Sequence, residues 1–98
     1  MKGEDDMTRK VLVIRAKEGL RGRNAELFTG VATKFSCSID IVGAGRDKII
    51  NAKSIMGVLS LMAKEGDSIA LAAKGADAPE AIQALTQLVE NDFKLENK

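Results

Sequence analysis

The spacing of apolar positions along this chain changes several times, and each change marks an element. KVLVIRA, residues 10 to 16, is short, rich in β-branched residues and closed by charged turn residues, which predicts a strand. KEGLRGRN then turns into a helix, because from Gly22 to Phe35 the residues Leu27, Phe28, Val31, Ala32 and Phe35 recur at steps of three and four. Gly30 weakens that helix by roughly 1 kcal/mol relative to alanine without breaking its pattern. SIDIV, residues 38 to 42, alternates as a strand, Lys48 to Ile50 is its partner, and GAGRD between them supplies turn residues. A short second helix is expected from Ser54 to about Met62, stopping near Gly66, and SIALAA, residues 68 to 73, alternates again as a fourth strand. DAPEAIQALTQLVENDF is the strongest helix signal. Asp77 stands as its cap with Glu80 three residues on, Pro79 fits the first turn, and Ala78, Ala81, Ile82, Leu85, Leu88 and Val89 form an apolar stripe.

The resulting order is βαββαβα. Strands with one apolar face, interleaved with amphipathic helices, predict an α+β sandwich of two layers whose helices cover one side of the sheet. Residues 1–8 are polar and charged and are expected to be a mobile leader or an appended tail; residues 9–93 make one domain, and residues 94–98 a C-terminal tail.

Composition narrows the functions such a domain can carry. A chain of 98 residues, 45% hydrophobic and 30% charged, is long enough to bury a core without disulfides or metal. Its formal net charge of +1 exerts no strong pull on nucleic acid or anionic lipid, so partners must be selected locally. The single cysteine, Cys37, cannot make an internal disulfide, and no early apolar run is long enough for a signal peptide or membrane span. A cytoplasmic protein is expected. Histidine is absent, which removes the usual acid/base group near neutral pH and the commonest metal ligand. With no Trp or Tyr and only three Phe, base stacking is poorly supported as well. No cofactor, no metal, no direct nucleic-acid partner and no membrane association is expected.

Within NAKSIMGVLSLMA, residues 51 to 63, Ser54 is the one hydroxyl standing immediately before an apolar helical run. That place suits an N-cap, worth about 1 kcal/mol. It also suits a phosphate, because first-turn amides and the helix dipole favour negative charge there. Both roles stay open. Ile55, Met56, Val58, Leu59, Leu61 and Met62 run almost all the way round a helix of about two turns, so either some face outward as a docking patch or the short helix is simply well buried. In GLRGRNA, residues 19 to 25, Arg21 and Arg23 stand at the start of the first helix, where they either hold an anion or are merely solvated. GAG at 43 to 45 lacks the GK[ST] ending of a phosphate loop and is a turn; Asp40, Asp47, Glu65 and Asp67 show no metal or acid/base spacing.

NAKSIMGVLSL closely resembles the regulatory-serine segment of HPr proteins, the small phosphocarriers of the bacterial sugar phosphotransferase system. KEGLRGRNAELF resembles the family's active-site turn, a Gly-x-His-x-Arg-Pro-Ala pattern, and KGADAPEAIQAL its last strand and helix, so the likeness covers about residues 9 to 92. It implies an HPr-like open-faced β-sandwich with a four-stranded antiparallel sheet covered on one face by three helices. Where the family has its phosphorylated histidine this chain has Arg21; it keeps the arginine as Arg23, and Asn24 replaces the usual proline. A guanidinium has no lone pair free to accept a phosphoryl group, so phosphocarrier activity through that position is excluded. The hairpin from Gly43 to Asp47 is about two residues longer than is usual for the family.

The loss of the histidine with retention of the serine resembles the Crh subgroup of the family, the catabolite-repression HPr-like proteins. That resemblance implies a regulatory protein rather than an enzyme. Ser54 is then phosphorylated by an HPr kinase/phosphorylase, and the product binds a LacI-type transcriptional repressor, catabolite control protein A, as corepressor. Ile55, Met56 and Leu59 provide the apolar contact, with Arg23 a polar one; Leu59 stands where methionine is frequent, and Arg21 where Crh has an uncharged glutamine. The alternative is a phosphorylation-independent binding module that regulates a metabolic enzyme or transporter through the same helix patch. Crh-like members also exchange an N-terminal strand to form homodimers, a route open to this chain.

Overall fold

A computed structural model describes residues 7–43 and 49–94. Seven elements follow the predicted order: β1 (Met7–Val13), α1 (Arg23–Ala32), β2 (Ser38–Gly43), β3 (Ile49–Asn51), α2 (Ile55–Ser60), β4 (Ser68–Lys74) and α3 (Ala78–Glu90). The strands form one sheet in the order β1-β4-β2-β3, and every neighbouring pair is antiparallel.

Alternation decides the two faces of that sheet. Leu12 of β1, Ile39 and Ile41 of β2, Ile50 of β3, and Ile69, Leu71 and Ala73 of β4 point into the core. The helices close over them. In α1 the inward residues are Ala25, Phe28 and Ala32, and in α3 all six positions of the predicted stripe are buried. On the other face Val11, Val13 and Ile49 stay exposed, so the sheet has one covered and one open side.

Several boundaries move from where the pattern put them: β1 ends at Val13 and not at Ala16, and α1 at Ala32 and not at Phe35. β1 begins at Met7, so Met7 and Thr8 belong to the sheet and not to a leader. They pair with Lys74 and Ala73 of β4, and backbone pairing needs no apolar side chain to announce it. The second helix ends at Ser60, with Leu61 as its C-cap, well before Gly66. The turn is made instead by Met62, whose φ of 53° puts it in the left-handed region. The rest of the predicted leader, the GAGRD turn after Gly43 with its added length, and residues 95–98 lie outside the described residues.

Asp77 is the N-cap residue of α3 by position, yet its side chain makes no cap bond there. Its carboxylate reaches across the fold instead, accepting the backbone N–H groups of Ser36 and Cys37 at 2.9 Å each and the Ser36 hydroxyl at 3.3 Å. Those amides lie in the turn just before β2, and a carboxylate that satisfies two of them outcompetes a local cap. The predicted capping box is therefore replaced by a clamp between the β4–α3 turn and the α1–β2 turn. At the far end of α3, Phe93 donates its N–H to Leu88 O at 2.8 Å and Asp92 donates to Val89 O at 3.1 Å, a Schellman closure that folds the buried Phe93 back onto the core.

Candidate functional site

Asn51 closes β3 and Ser54 opens α2, so three residues of turn decide how the serine is presented. The Ser54 N–H donates to Asn51 O at 3.0 Å, and the Asn51 side chain accepts the Lys53 N–H at 2.9 Å. Ser54 keeps an extended backbone (φ −102°, ψ 116°), and its Oγ accepts the Gly57 N–H at 3.1 Å, the geometry of an N-cap. Its residue is half-buried, neither sealed in the core nor fully free. Lys53 beside it donates from Nζ to Phe35 O at 2.7 Å, tying the start of α2 to the turn after α1. Gly57 allows the close seat on β3: a Cβ there would lie 2.7 Å from Ile50 Cγ2.

The apolar residues of α2 divide cleanly. Val58 and Leu61 are buried, while Ile55, Met56, Leu59 and Met62 are exposed, Met56 at 73% and Met62 at 66%. The helix therefore anchors through one face and leaves four large apolar side chains facing solvent beside Ser54 and along to Met62. Exposed apolar groups in contiguity are characteristic of docking surfaces. Met62 was read from the sequence only as part of the apolar run. Its role at the surface depends on the left-handed C′ position, where glycine is usual, and no spacing rule announces that.

The arginine turn is built by its neighbours. Gly19 takes φ 71°, and Leu20, fully buried, donates its N–H to Ala63 O at 3.0 Å, which pins the turn to the chain following α2. Gly22, at φ 56°, is the N-cap of α1 and offers no side chain to its free amides. Asn24 is buried and donates from Nδ2 to Gly19 O at 2.8 Å, locking the turn from within; the sequence marked this position only as a departure from proline. Arg21 and Arg23 are both exposed. Arg21 borders two open clefts. One, of about 520 Å³, also takes in Arg23, Asn24, Glu18, Phe93 and Lys94; the other, of about 550 Å³, runs to Leu59, Met62 and Lys64. The fold thus brings Arg21 onto one surface with Leu59 and Met62, although Arg21 and Leu59 stand 38 positions apart in sequence.

Among the described residues no group of His, Cys, Asp and Glu is arranged to hold a metal, and no helix is long and apolar enough to cross a membrane. Cys37 is buried away from this surface. Burial, and then the neighbouring Asp77 carboxylate, push its thiol up to about 11, so it is no nucleophile near neutral pH.

An open-faced α+β sandwich that presents a capped serine, an apolar patch and an exposed arginine turn is the class of protein that the fold and this surface define. Comparison with known proteins gives that class its family. The family profile described as "PTS HPr component phosphorylation site" matches residues 8–91. The HPr-like protein Crh of Halalkalibacterium halodurans is 40% identical over 86 residues, covering 88% of this chain and 100% of the relative. Among solved structures, HPr-C-His from Thermoanaerobacter tengcongensis superposes with a TM-score of 0.83 at 42% identity, covering 92% of this chain and 99% of the other. Bacillus subtilis Crh, whose structure is described as a swapping dimer, gives 0.67 at 36% identity, covering 86% of this chain and 94% of its own. The chain belongs to the HPr family.

Proposed function

We propose that this chain is a Crh-like regulatory protein of carbon catabolite repression, switched by phosphorylation of Ser54. An HPr kinase/phosphorylase transfers the γ-phosphoryl group of ATP to Ser54 Oγ, which loses its proton as ADP departs. The product docks on a LacI-type transcriptional repressor of the catabolite control protein A kind. Phosphoserine adds a charge of about −1.5 to −2 and three acceptor oxygens. Charge-assisted bonds from partner arginines or lysines to those oxygens, with Ile55, Met56 and Leu59 packed into an apolar groove, make the affinity conditional on the phosphate.

The observation that carries this reading is the pairing at one helix end of a half-buried, capping Ser54 hydroxyl with exposed Ile55 and Met56. A phosphate attached there meets the first-turn amides already, so it changes the surface and leaves the fold in place. Total absence of histidine supports the regulatory side of the family over the carrier side, with Arg21 at the position of the family's phosphorylated histidine and Arg23 as a polar contact. The protein is then no enzyme and no acceptor from phosphoenolpyruvate.

The test is incubation with an HPr kinase/phosphorylase and ATP, read by mass, followed by binding to the repressor. One added phosphate that Ser54→Ala prevents, with repressor binding appearing only afterwards, is the expected result. No modification, or modification that persists in Ser54→Ala, overturns it.

A second reading is favoured by one observation of its own: the patch is exposed before any modification, with Met62 held outward beside Arg21. A phosphorylation-independent module that regulates a metabolic enzyme or transporter through it would lose its partner in Met56→Asp and keep it in Ser54→Ala. Dimerisation by exchange of an N-terminal strand belongs with either reading; the structure of the Bacillus subtilis relative is described as a swapping dimer.

A further inference from the structure

The open face of the sheet has an order that the α2 surface does not explain. Register aligns Val11 with Ala70, Ala70 with Val42, and Val42 with Ile49, so one row crossing all four strands is wholly apolar. Its two ends are among the most exposed apolar side chains of the molecule, Val11 at 65% and Ile49 at 68%. The adjacent row reads Arg9, Ala72, Asp40, Asn51, with one cation and one anion on either side of a central alanine.

We propose that this face is a self-association surface whose occupant is the same face of a second copy. Charge complementarity selects that occupant and its geometry. With two sheets packed face to face and a two-fold axis running along β4, β1 of each copy lies over β2 of the other. Arg9 then meets Asp40 twice, Val11 meets Val42 twice, and Ala70 and Ala72 meet themselves on the axis, where small side chains allow close approach. An axis laid across the strands instead puts Arg9 over Arg9 or over an apolar valine. Lys74, at the end of β4, meets its own copy on the same axis, and its long stem lets each ammonium turn out to water.

Only β1, β4 and β2 lie over a facing strand in this arrangement, about 10 Å at the usual strand spacing, and β3 with Ile49 projects beyond the contact. A contact of that size falls well below the roughly 800 Å² per partner of a standard interface, so the dimer is weak and dissociates on dilution. It leaves α2 free in both copies and exchanges no strand.

The experiment is sedimentation equilibrium of the full chain from micromolar to millimolar concentration. The weight-average mass is expected to rise toward twice the monomer. Asp40→Arg and Arg9→Asp should each weaken the dimer about tenfold, since two facing pairs turn from attraction to repulsion. The double variant Arg9→Asp/Asp40→Arg should restore it, and melting temperatures confirm that each variant is folded. Met56→Asp should leave it unchanged. A monomer at every concentration overturns the proposal. So does a dimer that both charge reversals leave intact, as strand exchange would, or one that Met56→Asp dissociates. Binding of a monomeric chain to anionic lipid vesicles, lost in Val11→Asp, assigns the face to another occupant and overturns it as well.

Discussion

The hydroxyl of Ser54 accepts the backbone N–H of Gly57 at 3.1 Å, so the group proposed to carry the phosphate already caps the helix it would modify. Removing it has two separable effects. Ser54→Ala should cost about 1 kcal/mol of stability, read as a lower urea midpoint, whereas Ser54→Asp should keep most of the cap. If Ser54→Ala is as stable as the parent, the cap is worth nothing in this context.

Met62 holds a left-handed backbone with its side chain two-thirds exposed. Left-handed geometry costs an L-residue about 1 kcal/mol that glycine escapes, partly offset by the freedom glycine adds to the unfolded chain. Met62→Gly should therefore raise stability by up to about 1 kcal/mol, measured in denaturant, while weakening partner binding through the α2 surface. A variant that binds as well as the parent removes Met62 from that surface.

Gly19 sits at φ 71° with the Ala63 carbonyl pressed where a Cβ would stand. Backbone cannot yield as a side-chain tip does, so Gly19→Ala combines φ strain with a clash and should lose at least about 2 kcal/mol. The loss should appear in the thermal midpoint and in the amide signals of residues 19 to 24, because Asn24 hangs from the Gly19 carbonyl.

The Asp77 carboxyl is held below the ordinary carboxylate range, first by the Ser36 backbone N–H and then by the Cys37 side chain. A depressed folded-state value contributes stability that is present above the unfolded-state value and is lost as pH falls through the folded one. Asp77→Asn should be destabilised at neutral pH, and its gap from the parent should narrow through the acid range. A gap constant with pH would mean the clamp owes nothing to the charge.

Cys37 tests the same clamp chemically. With its thiol raised from the ordinary 9.0 to about 11, the thiolate fraction at mildly alkaline pH falls on the order of a hundredfold. Thiol reagents should react with the native chain slowly and with the urea-unfolded chain at the rate of a free cysteine. Fast native labelling would place the thiol outside the core.

Periodicity sufficed wherever one element reports on itself. The α3 stripe, the alternation of β2 and β4, and the presence of a short helix after Ser54 were all legible, because burial of one face imposes a spacing that needs no knowledge of neighbours. The family likeness was equally legible in NAKSIMGVLSL and KEGLRGRNAELF. What one segment does to another was not. Asp77 carries every sign of a local cap, yet its carboxylate serves amides about forty residues away, since hydrogen bonds to the turn before β2 outcompete those within its own helix. The sequence likewise offers six apolar residues around α2 with no means of dividing them.

The chain's order of strands and helices, its lack of histidine and the position of its one capped serine were determined by the sequence itself, because local spacing and residue chemistry are properties of short segments. Tertiary structure alone decided which apolar side chains of α2 face water, that Arg21 shares a cleft with Leu59 and Met62, and that Val11, Ala70, Val42 and Ile49 line up across an open sheet. The physical reason is that register and packing join residues far apart in the chain, and those pairings exist only once the core has closed.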